Sequence, residues 1–516
     1  MHRPFAIASP RKAGLRHSDQ RIALTGQQAT RAAHERPARI SLARWMLKRL
    51  TATPGRLMLM VWGLFAGLYA LRPIEFGTPA TSQTWQFVAA AIGLFLLGSA
   101  AGGQGGRRGV PKPDWNWPRP YVARLRRITI ACVLLGVLGG ASIYVDKMFL
   151  SGLDYSGGAT AVRLTRTAEA SAGIERHQSS YFLHFGLLTS HFSLVGLLLY
   201  LLAAESFPRR YILLVPLALI SPALFAYSYG GRSPVIAALL LCLAAFVVRA
   251  MLGRPAIPRA KGVTAILAAA VLAAVFYNSF IFGQRREFRN LDHYSAALLS
   301  FERAGLFRVR PWVDEWTRHG AVAPGIALDA ISSYFYLTVG ITGLERVLTF
   351  SDRLGPYAGQ YEIQILPIAL DRVWPEMSLL REMRHELFVA GAAGVFTTAF
   401  GSLFLDFGWA GLAVAVFLWG WLSGRCYRRS LRARDPSAAL MLCFFVWAVL
   451  LSPIHSAVGI SNAVMIPAIC WGVARLVRRR ANTVRRPIRG TPWPVEFPVR
   501  AATAGGWPPV AATLSK

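Results

Sequence analysis

The sequence predicts an all-α fold, a polytopic helical membrane protein of about ten transmembrane helices with a large outer loop that carries short surface helices. Three observations point there. Of 516 residues, 54% are apolar and only 16% are charged, with a mean hydropathy of +0.39, a balance that excludes an ordinary soluble globular enzyme. About ten apolar runs approach the roughly 20 residues that cross a ~30 Å hydrocarbon core. Lys and Arg are also sorted along the chain rather than scattered, as membrane topology requires.

The elements follow in order. Residues 1–56 hold twelve Lys/Arg and no long apolar stretch, which fits a basic cytoplasmic tail and not a cleavable signal peptide. Within it Leu42, Trp45, Met46 and Leu50 recur at helical spacing between Arg44, Lys48 and Arg49, the pattern of a helix lying on a membrane surface. Residues 57–282 supply transmembrane helices one to seven, near 57–73, 85–101, 128–145, 181–204, 211–227, 234–251 and 263–282. A large periplasmic loop occupies 283–403. Residues 404–477 supply helices eight to ten, near 404–424, 438–452 and 460–477. The tail over 478–516 is basic and proline-rich, a composition that does not build a core.

With the amino terminus inside, the inner segments hold 39 Lys/Arg against six Asp/Glu, and the outer ones 17 against 18. The alternation supports an even number of crossings with both termini cytoplasmic. Residues 330–344 and 387–401 are apolar over about 15 residues, short for a span; crossing by both would make twelve helices, but re-entrant or surface helices are the preferred reading. The net charge of +32 then reflects topology and attraction to an anionic inner leaflet, and no nucleic-acid partner is expected. The bilayer is the partner instead.

Candidate chemistry lies in the outer segments. Gly283-Gln284-Arg285-Arg286-Glu287-Phe288-Arg289 places three guanidinium groups at the outer end of helix seven, where planar forks can clamp a phosphate or carboxylate. Arg232 stands in the tight turn Tyr229-Gly230-Gly231-Arg232-Ser233-Pro234, at the depth of a lipid-linked phosphate. Between Pro367 and Glu386, Asp371, Arg372, Glu376, Arg381, Arg384 and His385 put both charge signs near an imidazole, enough to accept a hydroxyl proton and stabilise a departing phosphate. Asp406 enters helix eight beside Gly408 and Gly411; a carboxylate at that depth is costly, and pairing with an arginine above it is expected. Trp312, Trp316, Tyr334, Tyr336, Tyr357, Tyr361 and Trp374 read as an interfacial aromatic belt or as sugar-stacking surfaces. Cys132, Cys242, Cys443 and Cys470 fall within helices and Cys426 at a helix end, and no outer segment has an HxxxH or HExxH spacing, so neither a metal nor another cofactor is expected.

The glycine-arginine turn at 230–232, the arginine cluster after helix seven, the Leu366-Pro367 to Trp374-Pro375 element and Phe407-Gly408-Trp409-Ala410-Gly411 together resemble the oligosaccharide repeat-unit polymerases (O-antigen or exopolysaccharide polymerases) of bacterial inner membranes. Tyr144-Val145-Asp146-Lys147 with Gly152-Leu153-Asp154-Tyr155 is also similar, and the likeness covers about 120–480. Glu376-Met377 stands where many relatives carry Lys-Pro. The resemblance implies polymerisation of polyprenyl-diphosphate-linked repeat units at the periplasmic face by a metal-independent glycosyltransferase. A flippase and a chain-length regulator are its expected partners. The candidate catalytic residues are then Arg232, Arg285, Arg286, Arg289, Arg372, Arg384, His385 and Asp406. Alternatives are an O-antigen ligase-like glycan transferase and a polytopic transporter; the second expects broken helices or ionisable groups in mid-membrane, whereas the ionisable groups fall mostly at helix ends or in loops.

The charge count yields a topology test. A reporter active only outside the cytoplasm should give signal when fused after Gly320 and stay silent after Pro113 and Ser430. Signal at Ser430, or silence at Gly320, would overturn the assignment.

Overall fold

The computed structural model describes residues 53–103, 119–151, 180–229, 231, 233–258, 262–283, 291–303, 305–363, 366–367, 370, 373–392, 396–433, 435–459 and 463–479. The basic segment around Leu42 and the tail beyond Arg479 lie outside them. The chain is mostly helical, with eight helices long and apolar enough to cross a membrane and three shorter apolar ones among the described residues.

In chain order the bundle helices are α1 (Pro54–Leu71), α2 (Ser82–Gly103), α3 (Arg119–Val145), α4 (Tyr181–Thr189), α5 (Phe192–Ala203), α6 (Leu214–Ser228), α7 (Ser233–Met251) and α8 (Val263–Gly283). Residues 291–389 add α9 (Leu291–Arg303), α10 (Pro311–Arg318), α11 (Pro324–Thr349) and α12 (Leu380–Val389); α13 (Ala399–Ala433), α14 (Pro436–Leu451) and α15 (Met465–Arg479) return to the bundle. Helix starts follow local chemistry. Thr53 caps α1 by accepting from Arg56 N–H at 3.3 Å, with Pro54 in the first turn, and Asp435 caps α14 with Pro436 behind it, so orphan N–H groups are met where proline costs nothing.

Glycine seams set the helix pairing. A Cβ on Gly98 or Gly102 would stand 2.1 Å from the backbone oxygen of Phe417 or Trp421, and one on Gly420 or Gly424 would stand 2.2 or 2.3 Å from that of Phe95 or Ser99. α2 and α13 therefore run in the same direction with their backbones in contact, the close approach that small residues permit between membrane helices. A second seam puts Gly136 and Gly139 of α3 against Ser193 and Ser190.

Basic side chains gather at one end. Arg249, fully buried, donates to the carbonyls of Leu201 (2.9 Å), Leu202 (3.3 Å), Pro255 (3.0 Å) and Ala256 (3.2 Å) and pairs with Glu205, meeting the carbonyls that the end of α5 leaves open. Arg126 donates to Ser206 O at the same end. At the opposite end β1 (Ile74–Phe76) pairs antiparallel with β2 (Phe307–Val309), Ile74 opposite Val309 and Phe76 opposite Phe307, fastening residues 291–349 over the helix ends as a roof.

Length and composition would let α11 cross a bilayer. Its contacts instead run along the roofed end: Tyr334 OH donates to Leu68 O at 3.1 Å, Gly340 lies against Pro453, and Glu345 accepts from Thr81 N–H at 2.7 Å and from the Thr81 and Thr84 hydroxyls at 2.9 and 2.5 Å. Glu345 thereby places a carboxylate on the N-terminal turn of α2. Residues 387–401 form no single helix; α12 stops at Val389 and α13 begins at Ala399.

Two expectations are corrected. The run at 181–204 breaks at Ser190-His191, where the Ser190 carbonyl accepts from the hydroxyls of Ser193 (2.9 Å) and Ser221 (3.1 Å). His191 is thus buried at the start of α5, in the middle of the apolar run. Helix eight starts at Ala399, earlier than 404, and carries a non-helical Gly408 (φ 61°, ψ −167°), a conformation that favours glycine.

Replacing Gly424 by Ala should lower stability by about 1–3 kcal/mol through overpacking, read as a lower thermal midpoint in detergent. Gly93→Ala, whose added methyl meets nothing within 4 Å, should change it little. Equal effects would remove the seam from its structural role.

Candidate functional site

The roof and the bundle meet in a buried polar cluster built around Asp406. The carbonyls of Leu405 and Asp406, just before the Gly408 kink, accept from the N–H groups of Tyr357 and Ala358 at 2.9 Å each. Its carboxylate adds two more bonds, Oδ1 from Tyr361 N–H and Oδ2 from Glu362 N–H, both 2.9 Å. Four backbone donors of one turn are thereby fixed to α13. Among the described residues no arginine pairs with Asp406, and these amides stand in the place expected of one, because a roof segment covers this stretch of the helix.

The turn in turn holds its surroundings. Gln360, buried, donates to Met377 O at 3.0 Å and accepts from Leu379 N–H at 2.9 Å, and Tyr357 OH donates to Glu386 at 2.7 Å. These three bonds moor the segment 375–389 against 357–362.

Glu362 is the group that this framework positions. Only 4% exposed, its carboxyl forms no well-aligned hydrogen bond among the described residues, although Ser402, Ser456 and the Gly459 N–H approach closely enough to act on it. Burial first, and the charge of Asp406 next, push its pKa up to about 7, since both penalise the ionised form. His455 faces the same space, with Nδ1 buried and unpaired among the described residues and its ring 5.6 Å from that of Phe396. Burial lowers its pKa to about 4, so the imidazole is neutral at pH 7. Gly459 lies against both groups: a Cβ there would lie 3.2 Å from His455 Nε2 and 3.4 Å from Glu362 Oε2. A carboxyl poised near neutrality beside a neutral imidazole is suited to accepting or passing a proton.

Of the sequence-predicted residues, Asp406 belongs to this cluster. Arg384 and His385 lie exposed on α12, whose buried face is Met383 and Leu387, so neither is brought into it. Arg232, Arg285, Arg286, Arg289 and Arg372 lie outside the described residues. Tyr277 OH donates to Gly231 O at 3.4 Å, which brings the α6–α7 turn to the last turns of α8. The aromatics divide: Trp312 and Trp316 are exposed and 5.2 Å apart edge to face, while Tyr357 is buried against Glu386.

Sequence reasoning missed Glu362 and His455. The available signals were a single acid inside Tyr361-Glu362-Ile363 and a histidine between two serines in Ser452-Pro453-Ile454-His455-Ser456. Among the described residues, no three of His, Cys, Asp and Glu stand together as a metal ion would need.

A second polar spot lies inside the bundle at the α4–α5 break. His191, Ser190, Ser221 and Trp447 line a cavity of about 20 Å³, room for one water. The indole N–H of fully buried Trp447 has no partner among the described residues.

Comparison with protein-family models, curated proteins and solved structures finds no match for this chain.

The raised pKa of Glu362 sets a pH dependence of stability. An unfolded glutamate ionises near 4.5, so between about 4.5 and 7 the folded state holds the extra proton and stability falls as pH rises through that window. Glu362→Gln removes this cost. Its stability relative to the parent, followed by thermal unfolding, should therefore rise from pH 4 to pH 8 by an amount on the order of 3 kcal/mol, and a pH-independent difference would refute the buried-carboxyl assignment.

Proposed function

We propose that the chain is a membrane-embedded glycosyltransferase that polymerises polyprenyl-diphosphate-linked oligosaccharide repeat units at its roofed face. The observation that carries the reading is Glu362, a buried carboxyl with a pKa near 7, held where the roof meets the bundle. In the proposed reaction a hydroxyl of the acceptor unit attacks the anomeric carbon of the donor. The bond from that carbon to the diphosphate oxygen breaks, the carrier diphosphate leaves with the electron pair, and Glu362 takes the hydroxyl proton. General-base assistance of this kind contributes about 10²–10⁴-fold in rate. Arg232, Arg285, Arg286 and Arg289 are assigned to the departing diphosphate, for which bidentate guanidinium groups are the natural partner, and no metal takes part.

The topology proposed with it has ten crossings: α1, α2, α3, the broken α4–α5, α6, α7, α8, α13, α14 and α15. The arginine-rich end faces the cytoplasm of a bacterial inner membrane, with both termini on that side, and the roof faces the periplasm. Support comes from the charge asymmetry and from Arg126, Arg249 and Arg254 standing at one end of the bundle.

A transporter is the second reading, favoured by the helix break at His191 and the small cavity beside it that Ser190, His191 and Ser221 help to line, since broken helices around buried polar groups mark transport sites.

Purified protein in lipid nanodiscs, given a polyprenyl-diphosphate-linked repeat unit, should build a ladder and release carrier diphosphate, unaffected by EDTA. Its rate should fall as pH drops below about 7, and Glu362→Gln should lose about 10²-fold or more. Lys in place of Arg285 and Arg286 should also lower the rate. Transfer that needs a separate acceptor and makes no ladder identifies a ligase. Absence of both reactions, with solute uptake by vesicles that is lost in His191→Ala, identifies the transporter.

A further inference from the structure

At the roofed end, where α1 turns into β1, an open cavity of about 530 Å³ is lined by two arginines, Arg72 and Arg310, two aromatics, Tyr69 and Trp85, and the small residues Ala66 and Ala70. Its volume lies in the range of small-ligand sites. Arg72 ends α1 in the left-handed conformation (φ 45°, ψ 52°), which is strained for a side-chain-bearing residue. It is exposed and makes no ion pair among the described residues. Arg310 comes from the roof, anchored by its N–H to Pro73 O at 3.1 Å. Its Nε is 3.2 Å from Glu75 but not aligned for a hydrogen bond, leaving that donor open among the described residues. Two guanidinium groups from distant parts of the chain thus share one cavity with a single carboxylate beside them.

Below the cavity, α1 presents an apolar flank. Gly63 and Gly67 are exposed, with nothing within 4 Å of where a Cβ would stand, and Ala66 and Ala70 extend the same shallow channel at helical spacing. Leu64 and Leu71, 68% and 69% exposed, flank it. Cationic groups and an indole–phenol pair, Tyr69 and Trp85 with centroids 5.7 Å apart, stand above a small-residue channel. That is the profile of a lipid seen from headgroup to chain.

We propose that this cavity binds the phosphate headgroup of an anionic phospholipid, with one acyl chain lying in the Gly63–Ala70 channel. The phosphodiester accepts from Arg72 and Arg310, each capable of paired N–H donation. Because Arg72 caps the end of α1 and Arg310 stands between β2 and α10 of the roof, the bound lipid ties the roof to the bundle alongside the β1–β2 pairing. A second copy of the chain is a poorer occupant: a two-fold contact through Gly63 and Gly67 would bring two Arg72 side chains together at the same end, a like-charge cost.

The test is native mass spectrometry of the delipidated full chain titrated with dioleoyl-phosphatidylglycerol, with inorganic phosphate as competitor. The parent should retain one lipid that millimolar phosphate does not displace. Arg72→Gln/Arg310→Gln should weaken retention at least about tenfold. Ala70→Trp, which fills the cavity and keeps every charge, should do the same. Unchanged retention in both variants overturns the site. Displacement by phosphate alone means a free-anion site, and efficient disulfide dimerisation of Gly67→Cys without lipid dependence means a helix–helix contact; either result also overturns the lipid.

Discussion

The close contact of α2 with α13 is the constraint on which the other arrangements rest. Between helices in a bilayer there is little hydrophobic gain, since lipid chains are as apolar as leucine, so association depends on backbone proximity and packing. Gly98, Gly102, Gly420 and Gly424 provide that proximity. Because the two helices run in the same direction, both present their N-terminal turns at one end. Glu345 of α11 reaches the start of α2 there, and the turn 357–362 reaches Leu405 and Asp406 of α13, just before its Gly408 kink.

Two of the roof attachments use a carboxylate to meet backbone or hydroxyl donors, a bond stronger than a neutral one. Glu345 serves Thr81 and Thr84, and Asp406 serves Tyr361 and Glu362. The second attachment has a chemical consequence. By consuming its own lone pairs on the turn, Asp406 holds Glu362 in place without offering its carboxyl a cation. That carboxyl stays protonated to an unusually high pH because burial and a neighbouring negative charge both act on it. The positioning group and the proton-handling group are adjacent but have different partners.

Parts of this were legible in the residues. Apolar runs marked the bundle helices to within a few residues for α1, α7 and α14, because hydropathy is a local property. Asp406 was recognisable as costly where it stands. The break at His191 was not legible, since Thr189-Ser190-His191 carries neither glycine nor proline, and the break is held by Ser193 and by Ser221 from another helix. Arg384 and His385 looked functional by their mixture of charges, yet Met383 and Leu387 turn that face of α12 outward.

The sequence by itself determined the helical class, the approximate segments and the gathering of positive charge into alternate connections, because composition along the chain suffices for these. Only the tertiary structure decided which apolar surfaces face protein: Leu57 is fully buried and Leu64, two turns on, is 68% exposed. In a membrane chain both environments select the same side chains, so periodicity is nearly silent about the difference. The tertiary structure alone also set Glu362 beside His455 across Gly459, and Arg72 beside Arg310. The partners in each pair are far apart in the sequence and meet only because the roof is fastened to the bundle by bonds whose two ends no local pattern connects.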